Sequence, residues 1–146
     1  MIRNYCLDTS IILPLLRGKQ LGKSIDQTFG LGTAPHLHTI SIVSHGELRV
    51  LCDRNGWEGA KRVALDKALM EFVTIDVAGA RMIEAYRKVE EANAAIQPGH
   101  QNMGKNDVWI AATAIVTGLP LLTTDRDFNH IDGKLLEVCY FDPQSR

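Results

Sequence analysis

The centre of the fold is predicted from one segment, Lys105-Asn106-Asp107-Val108-Trp109-Ile110-Ala111-Ala112-Thr113-Ala114-Ile115-Val116-Thr117-Gly118. Its body is apolar on almost every face, which predicts a helix buried inside the domain rather than one on the surface. Asn106 is a favourable N-cap residue, and Asp107 stands where the helix dipole favours an anion. Gly118 suits the position just past the end of the helix. The segment is therefore predicted to be a central helix with a carboxylate near its start.

A short strand follows this helix at once. Pro120 prevents the helix from continuing, and the apolar run from Leu119 to Thr123 predicts a strand that ends just before Asp125. Other β-prone runs occupy 4–7, 39–43, 72–75 and 136–141, with helical segments between them. Short, nearly all-apolar strands that alternate with helices predict a parallel sheet with helices on both faces.

Length and composition fit one globular domain over residues 1–146. Hydrophobic residues make up 45% and charged residues 23%, and the formal net charge of -1 gives no general sign of nucleic-acid binding. The 3 cysteines lie far apart without a Cys-x-x-Cys pair, which favours reduced packing residues. No signal-peptide pattern and no run long enough to span a membrane are present, so we expect a cytoplasmic protein.

Four acids from distant parts of the chain are predicted to meet at one edge of the sheet. Asp8 ends the first strand, Glu47 follows the second, and Asp125 follows the fourth. Ligands of open parallel sheets bind outside the carboxyl ends of the strands. A helix that runs back across the sheet normally begins at that same edge, which adds Asp107 to the group.

Each acid also has a purely structural explanation. Asp8 could cap the first helix, Asp107 could interact favourably with the helix dipole, and Asp125 could cap the turn that follows it. Ser44-x-x-Glu47 fits a capping box for a helix that starts at Leu48. Capping explains any one of these positions as well as function does, but four caps have no reason to converge.

Carboxylates gathered in this way need a cation or a raised pKa. Two of them ~4 Å apart repel by roughly 4 kcal/mol at an effective dielectric near 20. The candidate ligands are all oxygen atoms, which suit Mg²⁺ or Mn²⁺, whereas zinc more often recruits histidine or cysteine. His45 lies two residues from Glu47 and so on another helical face, and we expect His36 and His38 at the surface. An acidic cluster with one or two such ions suits phosphoryl chemistry by a metal-activated water.

Four segments of the chain together resemble the PIN domain family, most closely its single-domain toxin branch, the VapC-like ribonucleases. They are Leu7-Asp8-Thr9-Ser10, Ser44-x-x-Glu47-Leu48, Asn106-Asp107-x-x-Ile110-Ala111-Ala112-Thr113-Ala114 and Leu122-Thr123-Thr124-Asp125-Arg126-Asp127-Phe128. The resemblance implies a three-layer α/β/α fold with a central parallel sheet of about five strands. It also implies an endoribonuclease site, dependent on Mg²⁺ or Mn²⁺, that is formed by Asp8, Glu47, Asp107 and Asp125.

The resemblance carries further expectations about the site and its partners. Asp127 is expected to replace or assist Asp125, and Thr9 or Thr123 to bond a carboxylate or a metal-bound water. The toxin branch implies an RNA substrate, a homodimer, no membrane, and an antitoxin whose C-terminal segment enters the acidic groove. We also expect the loop at 97–105, which precedes Asp107, to shape access for RNA.

Two other functions remain open at this point. A non-catalytic PIN-like binding module would keep the fold and use the acids as caps, and it should show no thermal shift with Mg²⁺ or Mn²⁺. A phosphatase of the haloacid dehalogenase type needs a second aspartate two residues after its nucleophile, whereas Ser10 follows Asp8 at that distance. Three basic residues near the predicted rim could contact phosphates or could simply be solvated charges: Lys105, Arg126 and Arg49.

Overall fold

The computed structural model describes residues 3–32, 36–96 and 103–144. Its strands are β1 (Cys6–Leu7), β2 (Thr39–Ser41), β3 (Val73–Ile75), β4 (Leu121–Thr123) and β5 (Val138–Tyr140). Its α-helices are α1 (Thr9–Arg17), α2 (Gln20–Phe29), α3 (Ile42–Asn55), α4 (Ala60–Leu69), α5 (Ala80–Ala95) and α6 (Lys105–Thr117). A 3₁₀ helix, Arg126–Ile131, lies between β4 and β5.

The strands form one 5-stranded sheet in the order β3-β2-β1-β4-β5, and each neighbouring pair is parallel. The predicted three-layer α/β/α fold with a central parallel sheet is therefore confirmed. From β1 the chain proceeds outward to β2 and β3, and it returns on the other side as β4 and β5. The order reverses between β1 and β4, and such a reversal is where α/β sheets place their ligand sites.

Helix α6 is the buried helix that the sequence predicts. Its buried residues are Val108 and the five from Ile110 to Ala114. Gly118 ends the helix with a φ of 71°, a left-handed conformation that glycine adopts without steric cost. The alanines keep the helix thin, so that α5 can pack closely against it.

The prediction that Asn106 caps this helix is wrong. Gly104 occupies the N-cap position, and the carbonyl of Gly104 accepts the first helical hydrogen bond from Val108 N–H at 3.1 Å. The helix thus begins earlier than predicted, and Asn106 and Asp107 both lie in its first turn. That position places Asp107 at the positive end of the helix dipole.

His38 and the three cysteines are packing residues. His38 is buried rather than at the surface as predicted, because its ring joins two segments: Tyr5 N–H donates to Nδ1 at 3.2 Å and Nε2 bonds the Leu31 carbonyl at 3.1 Å. His36 stacks on that ring. Cys6, Cys52 and Cys139 are free thiols, the first two fully buried. In the part of the chain that the structure describes, no helix has the length and apolar character needed to cross a membrane.

Candidate metal centre

The topology brings the four predicted acids to one edge of the sheet. Asp8 directly follows β1, and Asp125 lies two residues beyond the end of β4, the neighbouring strand. Glu47 is in α3, which continues directly from β2, and Asp107 is in the first turn of α6. The charges of Asp8, Asp125 and Glu47 each raise the pKa of Asp107, so all four act on one small region.

One group of three carboxylates includes Asp127, which was expected only as a substitute or partner for Asp125. Asp107, Asp125 and Asp127 each offer an oxygen atom, and these atoms all lie within 4.8 Å of one another. Two oxygens that ligate one Mg²⁺ at ~2.1 Å stand at most about 4.2 Å apart, so small side-chain movements suffice for a shared ion. The donor set is oxygen alone and all three side chains are half-buried, which fits a hard divalent cation.

Asp125 and Asp127 are held together by the 3₁₀ helix. Asp125 is the N-cap residue, and its Oδ1 accepts a hydrogen bond from Asp127 N–H at 2.9 Å. The capping explanation for Asp125 is thus correct, and it coexists with membership of the cluster. Because the 3₁₀ helix starts immediately after Asp125, the Asp127 carboxylate lies close to the carboxylate of Asp125. Burial, followed by the charge of Asp125, raises the pKa of Asp127.

Asp8 is the buried member of the site, with 4% of its surface exposed. It stands at the N-cap position of α1, yet its side chain makes no capping bond to the helix. Its Oδ2 instead accepts hydrogen bonds from Ser10 Oγ at 2.8 Å and from Thr123 Oγ1 at 2.7 Å. Burial raises the pKa of Asp8, and these hydroxyls oppose part of that rise. Helix capping therefore does not explain this acid.

Hydroxyl groups join the β1 and β4 ends of the site. Thr123 Oγ1, which donates to Asp8, also accepts Asp125 N–H at 3.0 Å. Ser10 Oγ likewise accepts Thr124 N–H at 3.1 Å. Each hydroxyl therefore ties the Asp8 carboxylate to the segment that carries Asp125. Thr123 was one of two expected carboxylate partners, whereas the role of Ser10 was not predicted.

Glu47 is positioned by a second hydroxyl pair, and the alternative explanation of Glu47 as part of a capping box is wrong. Helix α3 begins at Ile42, where Ser41 Oγ caps Val43 N–H at 3.1 Å. Ser44 and Glu47 therefore lie within the helix rather than before it. Thr9 Oγ1 donates to Glu47 Oε1 at 2.6 Å and lies 2.7 Å from Ser44 Oγ. This contact turns the Glu47 side chain toward the end of β1.

Electrostatics make the cluster receptive to a cation. The pKa of Asp107 rises from 3.8 to about 7, first because of burial and then because of the charges of Asp8, Asp125 and Glu47. A raised carboxyl pKa of this kind shows that ionising every member is unfavourable without a positive charge nearby. A bound divalent cation would remove that penalty.

The three basic residues expected near the rim, and His45, have other partners. Lys105 pairs with Glu90 at 2.6 Å and Arg49 with Asp66 at 2.8 Å. Arg126 donates to the Tyr140 hydroxyl at 3.2 Å. His45 bonds Thr74 Oγ1 at 2.8 Å. Residues 97–102, most of the loop expected to shape RNA access, lie outside the described residues.

Comparisons with known proteins identify the family of the chain. The PIN domain family model matches residues 5–134. A curated relative, Ribonuclease VapC5 of Mycobacterium tuberculosis, is 30% identical over 131 residues, which cover 87% of each chain.

Solved structures with the same fold come from toxin–antitoxin complexes. VapBC2 from Rickettsia felis, bound to a promoter DNA fragment, superposes with a TM-score of 0.70 at 22% identity, covering 94% of this chain and 98% of that one. VapBC-5 from Mycobacterium tuberculosis superposes with a TM-score of 0.66 at 23% identity, covering 94% of this chain and 98% of that one. A toxin–antitoxin complex from Klebsiella pneumoniae superposes with a TM-score of 0.65 at 21% identity, covering 98% of this chain and 100% of that one.

Proposed function

Because the chain belongs to the PIN domain family, we propose that it is a metal-dependent endoribonuclease, the toxin component of a toxin–antitoxin pair. One observation supports this function above the others. Carboxylate oxygens from Asp107, Asp125 and Asp127 converge within 4.8 Å beside the buried Asp8, at the edge where the strand order reverses. A set of helix caps with no further role would not need to converge there.

The proposed roles follow from the contacts. Asp8, Glu47, Asp107 and Asp125 would hold Mg²⁺ or Mn²⁺, and we add Asp127 to this set. When bound, the ion would lower the pKa of a water molecule, orient it and neutralise phosphate charge. The hydroxyls of Ser10 and Thr123 orient the Asp8 carboxylate, and that of Thr9 orients Glu47. The hydroxyls thus fix the ligand geometry before an ion or substrate arrives.

An RNA cleavage assay tests this function. Wild-type protein should cut single-stranded RNA with Mg²⁺ or Mn²⁺, and a chelator should stop the reaction. Asp107→Asn should lower the rate at least ~100-fold while circular dichroism stays unchanged, because a metal ligand is lost. Glu71→Gln, which changes an exposed acid between α4 and β3, is the matched control. Cleavage by Asp107→Asn at the wild-type rate, or cleavage that is insensitive to chelation, would show that the assignment is wrong.

The non-catalytic alternative gives a different result in a simpler experiment. Metal binding to the folded state raises its stability. The proposed nuclease should therefore show a rise in melting temperature with Mn²⁺ that Asp107→Asn lacks, whereas a binding module whose acids are only caps should show none.

We also propose that a cognate antitoxin binds this chain and that the chain forms a homodimer. The acidic rim suits a basic side chain of the antitoxin. A separate groove of ≈ 640 Å³ between α1 and α4 has apolar walls from Leu13, Leu16 and Trp57, with Arg17 and Lys61 also lining it. These features suit a helix that is apolar on one face and acidic at its flanks.

Binding measurements test both partner proposals. Ala64→Arg places a bulky cation inside the α1–α4 groove, where Ala64 is exposed. It should weaken binding of the purified cognate antitoxin and leave thermal unfolding unchanged. Equal binding by the variant would exclude this groove as the docking surface. Sedimentation analysis of the purified chain should show a dimer, and a monomer at micromolar concentration would contradict the second proposal.

A further inference from the structure

A groove leaves the acidic site along one face of α3. It encloses ≈ 450 Å³ and is lined by Val43, Gly46, Glu47, Val50, Arg54 and Asn106. The five α3 residues recur at helical spacing, so they share one face of that helix. Asn106, the neighbour of Asp107 in α6, forms the opposite wall. The groove therefore begins at the carboxylates and extends away from them.

The far end of this groove carries a cationic side chain, that of Arg54. Arg54 is exposed in the last turn of α3, and within the described ranges it forms no ion pair. Two nearby arginines differ in this respect: Arg49 pairs with Asp66 at 2.8 Å, and Arg62 pairs with Asp53 at 3.2 Å. Arg54 therefore has its guanidinium available for an external anion.

The middle of the groove is apolar and open. Val50 has 47% of its surface exposed, between Glu47 and Arg54 on the same helix face. At ~1.5 Å per residue, Arg54 lies about 10 Å along the helix from Glu47. A stacked nucleic-acid strand advances by about 3.4 Å per nucleotide, so this span corresponds to roughly three nucleotides.

We propose that this α3 groove holds single-stranded RNA on one side of the cleaved bond, with the Arg54 guanidinium bonded to a phosphate two or three nucleotides away. Val50 packs against a ribose or base between the two points, and the Asn106 amide faces the strand near the cleaved bond. The assignment to RNA rests on the proposed function, on the continuity of the groove with the carboxylates and on the charge of Arg54. It names a substrate-binding residue for that reaction.

Cleavage of RNA oligonucleotides of different length tests the proposal. On a substrate with at least four nucleotides on each side of the cut, Arg54→Ala should lower kcat/KM about 10-fold, and Arg54→Glu more, because a charge-assisted phosphate contact is lost. Arg54→Lys should recover most of the activity. Arg81→Ala, which removes an exposed arginine from α5, is the matched control and should behave as wild type. Shortening the substrate to one nucleotide on the side that occupies the groove should abolish the difference between Arg54→Ala and wild type.

A binding measurement keeps the test independent of catalysis. In the Asp107→Asn background, which should not cut RNA, Arg54→Glu should weaken binding of a fluorescent single-stranded RNA. It should also reduce the dependence of log K on log salt by about 0.7, the value for one phosphate contact on a single strand.

Each contrary result has a distinct meaning. Equal cleavage and binding by Arg54→Glu and Arg81→Ala would overturn the groove assignment while leaving the ribonuclease proposal intact. A loss of activity that persists on the shortened substrates would also overturn it, since the effect would not come from that part of the strand. If Val50→Glu converts a dimer into a monomer without changing RNA binding, the groove is a contact between copies. Wild-type protein that neither cuts nor binds RNA would refute the proposed function as well.

Discussion

Replacing Asp107 with asparagine should stabilise the metal-free protein while it removes the proposed activity. The carboxyl group has a pKa raised from 3.8 to about 7, chiefly by burial and further by the charges of Asp8, Asp125 and Glu47. At neutral pH and above, the folded chain must therefore carry an ionised group that is more easily accommodated in the unfolded chain. Asparagine has nearly the same shape and cannot ionise, so it avoids that cost.

The size and sign of the effect follow from the pKa. The separation between 3.8 and about 7 corresponds to roughly 4 kcal/mol at ~1.4 kcal/mol per pH unit. Asp107 is only half-buried, and solvent screening reduces this to about 1–2 kcal/mol. Between about pH 4 and pH 7 the folded chain retains a proton that the unfolded chain has released. The stability of the metal-free wild type contributed by this group therefore falls as pH rises through that window and is level above it.

Urea unfolding with a chelator present, from about pH 4 to pH 8, measures this difference. The gain of Asp107→Asn over wild type should grow from near zero at about pH 4 to about 1–2 kcal/mol above pH 7. Glu71→Gln should show no such dependence. Added Mn²⁺ should stabilise the wild type and reverse the order of the two proteins. If Asp107→Asn is less stable than wild type at pH 8 without metal, or if its gain does not change with pH, the Asp107 carboxylate does not destabilise the metal-free fold.

Three further substitutions test the supports of the site. Thr123→Val removes a hydroxyl that donates to Asp8 and accepts from Asp125 N–H, so the affinity for Mn²⁺ measured by calorimetry should fall about 10-fold or more. Thr123→Ser should restore that affinity, whereas equal affinity for Thr123→Val and wild type would contradict this role. Phe128→Ala empties a fully buried position beneath the 3₁₀ helix and should cost about 3–5 kcal/mol in urea unfolding, and a loss under 1 kcal/mol would contradict the packing. Gly22→Ala would place a Cβ 2.1 Å from the Pro14 carbonyl oxygen, which forces α1 and α2 apart. It should cost about 1–3 kcal/mol, and a stable variant would contradict that close approach.

Much of the architecture could be predicted because local signals and topology agree. Gly118 and Pro120 mark the end of the buried helix, and the apolar strands imply a parallel sheet. Once the strands are parallel, the residues that follow β1 and β4 must share one edge of the sheet. The direct pairing of β1 with β4, which the sequence did not predict, then brings Asp8 near Asp125.

Helix starts were less predictable, since several polar residues compete for the cap. Ser41 caps α3, although Ser44 followed by Glu47 has the better local pattern. Helix α3 starts at Ile42 rather than at the predicted Leu48, because β2 ends at Ser41 and the chain turns immediately. In α6, Gly104 takes the N-cap position without any side-chain bond, which composition alone does not indicate.

Side-chain partners were the least predictable part of the site. Ser10 bonds the Asp8 carboxylate only because the chain after β4 passes close to α1, a contact set by tertiary structure. Asp127 joins the cluster because a 3₁₀ helix rather than an open turn follows Asp125. The sequence shows that Asp125 and Asp127 are two residues apart, but the distance between their carboxylates depends on that 3₁₀ helix.

A manganese-soaked crystal of the protein tests for the proposed metal site, because Mn²⁺ gives an anomalous signal that locates the ion without assumptions about activity. We expect an anomalous peak within ligand distance of Asp107 and at least one of Asp125 and Asp127, with Asp8 beside it. An Asp107→Asn crystal soaked in the same way should show a weaker peak or none. A peak confined to other parts of the surface, or no peak at this edge at millimolar Mn²⁺, would show that the acids do not form a metal site.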